Sequence, residues 1–325
     1  MLITNDFSVG KHLIDFHLHS DNSDGEQSAE EVIKLAKEQG LSVIAITDHN
    51  TFTHTVPYWS EGMLVIPGAE LSADYYVPGW GESTEVHIIS IFPDGVNPEN
   101  FKNLLAEVNI GKETYVKAIL SDLETRGIHI TMDEVKNVDR KTKSIGRHGI
   151  AKVLVAKEFE EDIDSAFDHQ IGNFSPYYIP ATRYIHYASM KDIVCQVIKS
   201  GGIPILAHPY GYSMDEIEIE QLIADFAVAA NLGDLNIVGT NFTAGMEVYY
   251  ERYLGNEQRM SFLKRMQKKY RLLASAGSDR HREGQPFCSG GQYELYEIMV
   301  LSLKNDVKDK SKNLESKNFN IAELL

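Results

Sequence analysis

Apolar residues in this chain gather in short continuous runs, and longer amphipathic stretches separate them. Residues 13–19 form the first run and predict a strand. Ser28 and Glu31 then stand at the spacing of a capping box. Ala29, Val32, Ile33 and Ala36 recur at helical spacing behind them, and Gly40 ends the pattern. The run SVIAIT at 42–47 predicts the next strand, which completes a βαβ unit. Further strands are predicted over 63–66, 86–92, 203–207, 246–250 and 272–276. Between two of them, Ser189 and Asp192 open a helix whose buried face is Ile193, Val194, Val197 and Ile198, with Gly201-Gly202 as its stop. Alternation of this kind favours an α/β fold, a parallel sheet with helices packed outside it.

The rhythm changes between Pro98 and Tyr187, where helical periodicity dominates, with a stop at Gly127 and a second capping box at Thr131 and Glu134. Residues 98–187 are therefore expected to form a helical insertion in a body made of 1–97 and 188–325. The tail from Lys304 is polar and expected to fray, with residues 321–325 able to dock. No internal repeat interrupts the pattern.

Composition narrows the function. The 325 residues are 43% apolar and 24% charged, as in an ordinary globular protein. A formal net charge of −16 argues against a long nucleic-acid surface. It still permits a small anionic substrate, since bound divalent cations can reverse the local sign. Two cysteines, Cys195 and Cys288, fit a reducing compartment. No basic-then-apolar leader and no run of about 20 apolar residues occur, so a cytoplasmic protein without membrane contact is expected. Oligomeric state is left open.

Candidate chemistry lies where the strands end. The first closes on Asp15-Phe16-His17-Leu18-His19, and alternation puts His17 and His19 on one face. Asp24 follows in a Ser-Asp-Gly turn, Asp48-His49 ends the second strand, Glu70 follows the third, and His87 lies in the fourth. His208, Asp279 and His281 come after later strands. C-terminal strand ends of parallel α/β folds converge on one face. Six histidines, two aspartates and one glutamate would then make a ligand pool suited to Zn²⁺, Mn²⁺ or Fe²⁺. Asp48 reads equally as an orienter of a ligand or as a cap.

The motifs DFHLHSDNSDG, ITDHN, GAELS, VHIISIF, LAHP and AGSDRH, in this order, resemble the metal-binding motifs of the PHP (polymerase and histidinol phosphatase) superfamily. The resemblance implies a distorted (β/α)₇ barrel and a metal-dependent phosphoesterase with two or three divalent ions. By the same resemblance, one ion takes His17, His19, Glu70 and Asp279. A second shares Glu70 and takes His87 and His208, and a third takes Asp24, His49 and His281. The segment from Ile145-Gly146-Arg147-His148 to SPYYIP resembles the subgroup of nucleoside 3′,5′-bisphosphate phosphatases and enzymes that trim short RNA from its 5′ end. That likeness makes Arg147 and His148 contacts for the substrate phosphate, and guanidinium suits a two-pronged grip. The subgroup commonly carries a proline between these two residues, and here they are adjacent.

The expected chemistry is attack by a metal-activated water on a small phosphorylated substrate, a nucleotide or short RNA, with no covalent phosphoenzyme. Asp48 is a candidate for handling the proton of the leaving oxygen. Histidinol phosphate or another small phosphomonoester is the alternative substrate, and a non-catalytic PHP binding module is the alternative class. A deaminase-like amidohydrolase would share barrel and ligands, but the Ser-Asp-Gly and Gly-Ser-Asp-x-His motifs point away from it. Tyr249, Tyr250 and Tyr253 could stack on a base or simply pack.

Overall fold

The structure is a computed structural model that describes residues 13–138, 145–234 and 244–289. The tail from Lys304 and residues 321–325 lie outside the described residues. The chain runs β1 (Leu13–Leu18), α1 (Ala29–Glu38), β2 (Leu41–Ile46), β3 (Tyr58–Ser60), β4 (Met63–Tyr76) and β5 (Ser83–Ile91). It continues through α2 (Lys102–Thr125), α3 (Met132–Val138), α4 (Arg147–Ala156), α5 (Ile163–Ala166) and α6 (Met190–Lys199). Then come β6 (Ile203–Leu206), α7 (Glu216–Asp234), β7 (Gly245–Tyr250), α8 (Glu257–Tyr270) and β8 (Leu273–Gly277).

Seven strands pair in the order β1-β2-β4-β5-β6-β7-β8, with the short β3 set against β4. The edges meet just beyond β1 and β8. Asp279 N donates to His17 O at 2.9 Å and His19 N donates to Arg280 O at 3.0 Å, which closes the sheet into a barrel. The expected distorted (β/α)₇ architecture is therefore observed.

The expectation of a wholly parallel sheet needs correction. β5 runs antiparallel to both β4 and β6. Residues 77–82 turn the chain straight back from β4 into β5, leaving no room for a crossover helix. β4 is also much longer than the predicted 63–66, because its second half pairs with β5 from Gly68↔Ile91 out to Tyr76↔Ser83. The reversal matters for function. It brings the first half of β5, with His87, to the end of the barrel where the other strands finish.

Local signals account for the helices. Ser28 Oγ accepts from Glu31 N at 3.3 Å, while Ser28 N donates to Glu31 Oε2 at 2.8 Å, the reciprocal pair read from the sequence. Replacing Ser28 with Ala should lower stability by about 1 kcal/mol, read as a lower midpoint of denaturant unfolding with turnover unchanged. Thr131 and Glu134 repeat the device before α3, with Glu134 N donating to Thr131 Oγ1 at 3.2 Å. Gly127, at φ +81°, follows the end of α2. Ser189 Oγ accepts from Asp192 N at 3.1 Å at the start of α6.

Apolar burial divides three ways. The main cluster fills the barrel and its contact with α6, α7 and α8, with Phe16, Ile88, Val197, Phe226 and Leu263 among its members. A smaller cluster seats α1 on β1 and β2 through Val32, Ala36, Ile44 and Leu18. A third belongs to the helices of residues 98–187, where Val116, Leu123, Ile150 and Leu154 pack on one another. No strand occurs among the described residues of 98–187. Tyr249, Tyr250 and Tyr253 are all buried, so none presents an exposed ring for base stacking.

Candidate metal centre

At the closing end of the barrel, β1 delivers His17 and His19 on one face, both fully buried. Glu70 arrives from the middle of β4, also buried, and its carboxylate is the hub of the site. Its Oε1 lies 3.2 Å from His17 Nε2, 2.8 Å from His87 Nδ1 and 3.2 Å from His208 Nε2. Its Oε2 lies 2.9 Å from His49 Nδ1 and 3.4 Å from His19 Nε2. Five imidazoles brought by four strands, β1, β2, β5 and β6, thus surround one carboxylate.

Asp279 Oδ1 stands 3.3 Å from His17 Nε2 and 3.3 Å from His19 Nε2. Asp24 Oδ1 stands 3.7 Å from His19 Nδ1 and 3.4 Å from His281 Nε2, and its Oδ2 is 3.7 Å from His49 Nε2. All nine residues predicted as ligands therefore meet in one constellation. Their donor atoms form four overlapping sets, each within 4.8 Å: His19/Asp24/His49/His281, His17/His19/Asp279, His17/Glu70/His208 and His49/Glu70/His87. Compared with the expected partition, His19 also faces the Asp24 set, and His87 and His208, expected together with Glu70, fall in separate sets, His87 with His49 and Glu70 and His208 with His17 and Glu70.

The site fits divalent cations. His17 Nε2, both ring nitrogens of His19, Asp24 Oδ1, Glu70 Oε2 and His87 Nδ1 are buried atoms without a hydrogen-bond partner. Clustering of such atoms is costly in a protein interior unless something binds them. Backbone strain marks the same place. His208, at φ +26°, and Asp279, at φ +55°, are left-handed residues without being glycine, and Asn50, at φ +53°, follows His49.

Side-chain charge sets the protonation of the cluster. Burial alone would raise the Glu70 carboxyl, but His87, His49 and His17 hold it well below the ordinary range. Asp24 and Asp279 are likewise held well below theirs against burial, by His49 and His281 and by His17 and His281 respectively. Glu70 and Glu85 outweigh burial at His87 and lift it to about 10. Burial, with the neighbouring His281 and His49, lowers His19 to about 4, which leaves it a neutral imidazole with one ring-nitrogen lone pair available to a metal.

Two carboxylates behind the ligands were not legible as site residues, and Tyr250 was read only as a stacking or packing ring. Glu247, inside the apolar run of β7, accepts from His17 Nδ1 at 3.0 Å and from His208 N at 2.6 Å. Glu85, two residues before His87 on the same face of β5, lies 3.2 Å from His87 Nε2. Tyr250 donates to Asp279 Oδ2 at 2.8 Å. Each is a polar group within a buried or alternating strand, and that was the available signal.

Asp48 sits under the ligands. Its carboxylate accepts from Ser20 N, Ser20 Oγ and Ser23 Oγ, each at 2.7 Å, and from Thr53 Oγ1. These bonds fasten the turn that presents Asp24. The environment of Asp48 is that of a clamp whose acceptor positions are filled.

Helices α2 and α4 bring further polar side chains to the cluster. Arg147 and His148 open α4 and point to opposite flanks of the cluster. Arg147 Nη1 donates to Asn173 Oδ1 at 2.7 Å, and its charge faces Glu85 and the hydroxyls of Tyr115, Tyr178 and Tyr187. His148 is buried on the other flank, its ring centroid 6.0 Å from that of His281 and its Nε2 4.0 Å from Glu26 Oε1. Burial outweighs Asp24 there and lowers His148 to about 4, so it is neutral near pH 7. Lys112 on α2 is a third member that sequence reading missed. It is largely buried with its charge toward Asp24 and Glu85, and burial lowers its ammonium below the ordinary value.

Comparison with known proteins agrees with this arrangement. The PHP domain family matches residues 15–160. The chain is 27% identical over 276 residues to a 3′,5′-nucleoside bisphosphate phosphatase of Chromobacterium violaceum, covering 84% of this chain and 88% of that protein. It is 27% identical over 271 residues to a 5′-3′ exoribonuclease of Haemophilus influenzae, covering 82% of this chain and 89% of that one. Among solved structures, an amidohydrolase from Chromobacterium violaceum with bound sulfate and no metal superposes with a TM-score of 0.66 at 25% identity, covering 86% of this chain and 92% of that one.

Proposed function

We propose, from the premise that this chain is a PHP-domain protein, that it is a metal-dependent phosphoesterase acting on a nucleotide-type substrate. The substrate class we favour is a nucleoside 3′,5′-bisphosphate or a short 5′-phosphorylated RNA. One observation carries the metal dependence: His, Asp and Glu donors form four overlapping sets, two of them sharing the buried Glu70, and several of their atoms have no hydrogen-bond partner. His17, His19, Asp24, His49, Glu70, His87, His208, Asp279 and His281 would hold two or three divalent ions, with Mn²⁺, Zn²⁺ and Fe²⁺ suited to such donors. Bound there, such ions would neutralise phosphate charge and lower the pKa of a bound water to about 7.

The remaining steps fall to the protein. Arg147 and Lys112 come from different helices and both face Glu85. A substrate phosphate entering beside Glu85 would meet a fork of N–H donors and a point charge, a pairing suited to a phosphate other than the one cleaved. His148, neutral and next to His281, can accept a proton or donate a hydrogen bond on the opposite flank. Asp48 would act by holding the 20–24 turn, and not as a proton carrier, because its acceptor positions are already engaged. The relatives named as a bisphosphate phosphatase and an exoribonuclease support the substrate class. The helices of 98–187, which contribute Arg147, His148 and Lys112, support a substrate-binding role for that segment. No helix among the described residues is long and apolar enough to cross a membrane.

The test is a substrate panel with Mn²⁺ and after chelation. Adenosine 3′,5′-bisphosphate, AMP, histidinol phosphate and a short 5′-phosphorylated RNA are incubated with the protein, and phosphate and nucleotide release are measured. Chelator-sensitive turnover of the bisphosphate or the RNA is expected. Turnover confined to histidinol phosphate would overturn the substrate assignment, and turnover that survives chelation would overturn the metal dependence.

A further inference from the structure

We infer that Glu247 is a positioning residue that sets both the ring tautomer of His17 and the backbone of His208, and so shapes one edge of the proposed metal centre. The inference rests on the metal-dependent reading above and extends it to a residue outside the ligand set. Glu247 is 1% exposed, and each of its oxygens has a separate task. Oε1 lies 3.0 Å from His17 Nδ1, and Oε2 accepts the backbone N–H of His208 at 2.6 Å. A carboxylate at Nδ1 keeps the proton on that nitrogen and leaves Nε2 to face Glu70 and Asp279, 3.2 and 3.3 Å away.

The second bond has a different effect. His208 sits at φ +26° and ψ 66°, a conformation that a non-glycine residue holds only when its surroundings impose it. The hydrogen bond to Glu247 is one such constraint, and it keeps His208 Nε2 3.2 Å from Glu70 Oε1. His17, Glu70 and His208 are one of the donor sets of the site. One carboxylate therefore fixes two of the three donors of that set through different atoms.

The neighbouring strand is shaped around this contact. A Cβ at Gly277 would lie 2.1 Å from Glu247 Oε1 and 2.6 Å from His17 Cβ. Only glycine at the end of β8 leaves room for the pair. The arrangement thus joins β1, β6, β7 and β8 at a point where an apolar side chain of similar length would pack without difficulty.

Glu247→Gln tests the inference, because an amide offers one acceptor where two donors must be met. Either the His17 ring turns its proton toward Nε2 or the His208 N–H loses its partner. The measurement is Mn²⁺ and Zn²⁺ binding by titration calorimetry and metal content after gel filtration, on the full chain. We expect affinity to fall about 10–100-fold for the weakened ion, the usual effect of losing a carboxylate behind a ligating histidine. The set Asp24, His49 and His281 should keep its ion. Thermal unfolding of the chelated protein serves as the control for a purely structural effect, and it should move little. Should the variant fail to fold, the Zn²⁺-loaded wild type still decides. Long-range ¹H–¹⁵N spectra of its histidine rings should show the His17 proton on Nδ1. Unchanged metal affinity in Glu247→Gln, or a His17 ring bearing its proton on Nε2, would overturn the inference while leaving the phosphoesterase reading standing. A wild-type protein that binds neither metal would overturn both.

Discussion

Glu70→Gln is expected to reduce turnover by about a thousandfold or more, a loss of about 4 kcal/mol of transition-state stabilisation. The reasoning is geometric. Both Glu70 oxygens are shared among His17, His19, His49, His87 and His208, at separations from 2.8 to 3.4 Å. Glutamine preserves shape but removes the charge and one acceptor, so every donor set that includes Glu70 is affected at once. The same change removes one of the two carboxylates that raise His87 against burial, so the pKa of that ring should fall. Metal content measured by atomic emission and kcat/KM measured on the bisphosphate check the prediction together. Low metal content with low turnover is the expected pair. A variant that loses its ions yet keeps near-normal turnover would show that the cluster is structural and that catalysis lies elsewhere.

The gathering of the nine candidate ligands was legible because barrels bring strand ends together and because most of the nine sit at or just past such an end. Strand periodicity put His17 and His19 on one face, and the convergence of strand ends brought Asp-His after the next strand and Ser-Asp-x-His after the last to the same end of the barrel. What eluded that reasoning were features set by the return path of the chain. The reversal of β5 has no local sequence signature beyond the turn at 77–82. Yet it explains why His87, in the body of a strand, meets residues that follow other strands. Glu247 and Glu85 escaped notice for a related reason. Periodicity says which face a side chain takes, but only the closed barrel says that Glu247 meets His17, 230 positions away. Lys112 was hidden by its setting. A lysine in a helix rich in lysine and glutamate reads as a solvated face, and only the packing of α2 over the barrel buries it. Asp48 beside His49 suggested chemistry from adjacency, whereas alternation sends the two side chains apart and Asp48 turns to Ser20, Ser23 and Thr53.

Arg147→Ala should separate substrate recognition from the metal chemistry. Arg147 is not among the donor groups that gather around Glu70. Its Nη1 is held by Asn173 Oδ1 at 2.7 Å, and Asn173 Nδ2 in turn donates to Gly211 O at 3.1 Å, in the turn that follows His208. The guanidinium is thus fixed beside the proposed ions without being coordinated to them. Loss of a charge-assisted, two-pronged phosphate contact should raise KM for a nucleoside bisphosphate about a hundredfold, about 3 kcal/mol, with a smaller change in kcat. Arg147→Lys should recover only part of this, because an ammonium keeps the charge but not the planar fork. The decisive figure is a ratio. Hydrolysis of p-nitrophenyl phosphate, which has no second phosphate, should be nearly unaffected in either variant, so discrimination between the two substrates falls as KM for the bisphosphate rises, while metal content stays constant. Because both rates come from the same preparation, partial misfolding cancels from that ratio. Equal losses on both substrates would remove Arg147 from recognition of the second phosphate and place its contribution in the architecture around Glu85 and Asn173.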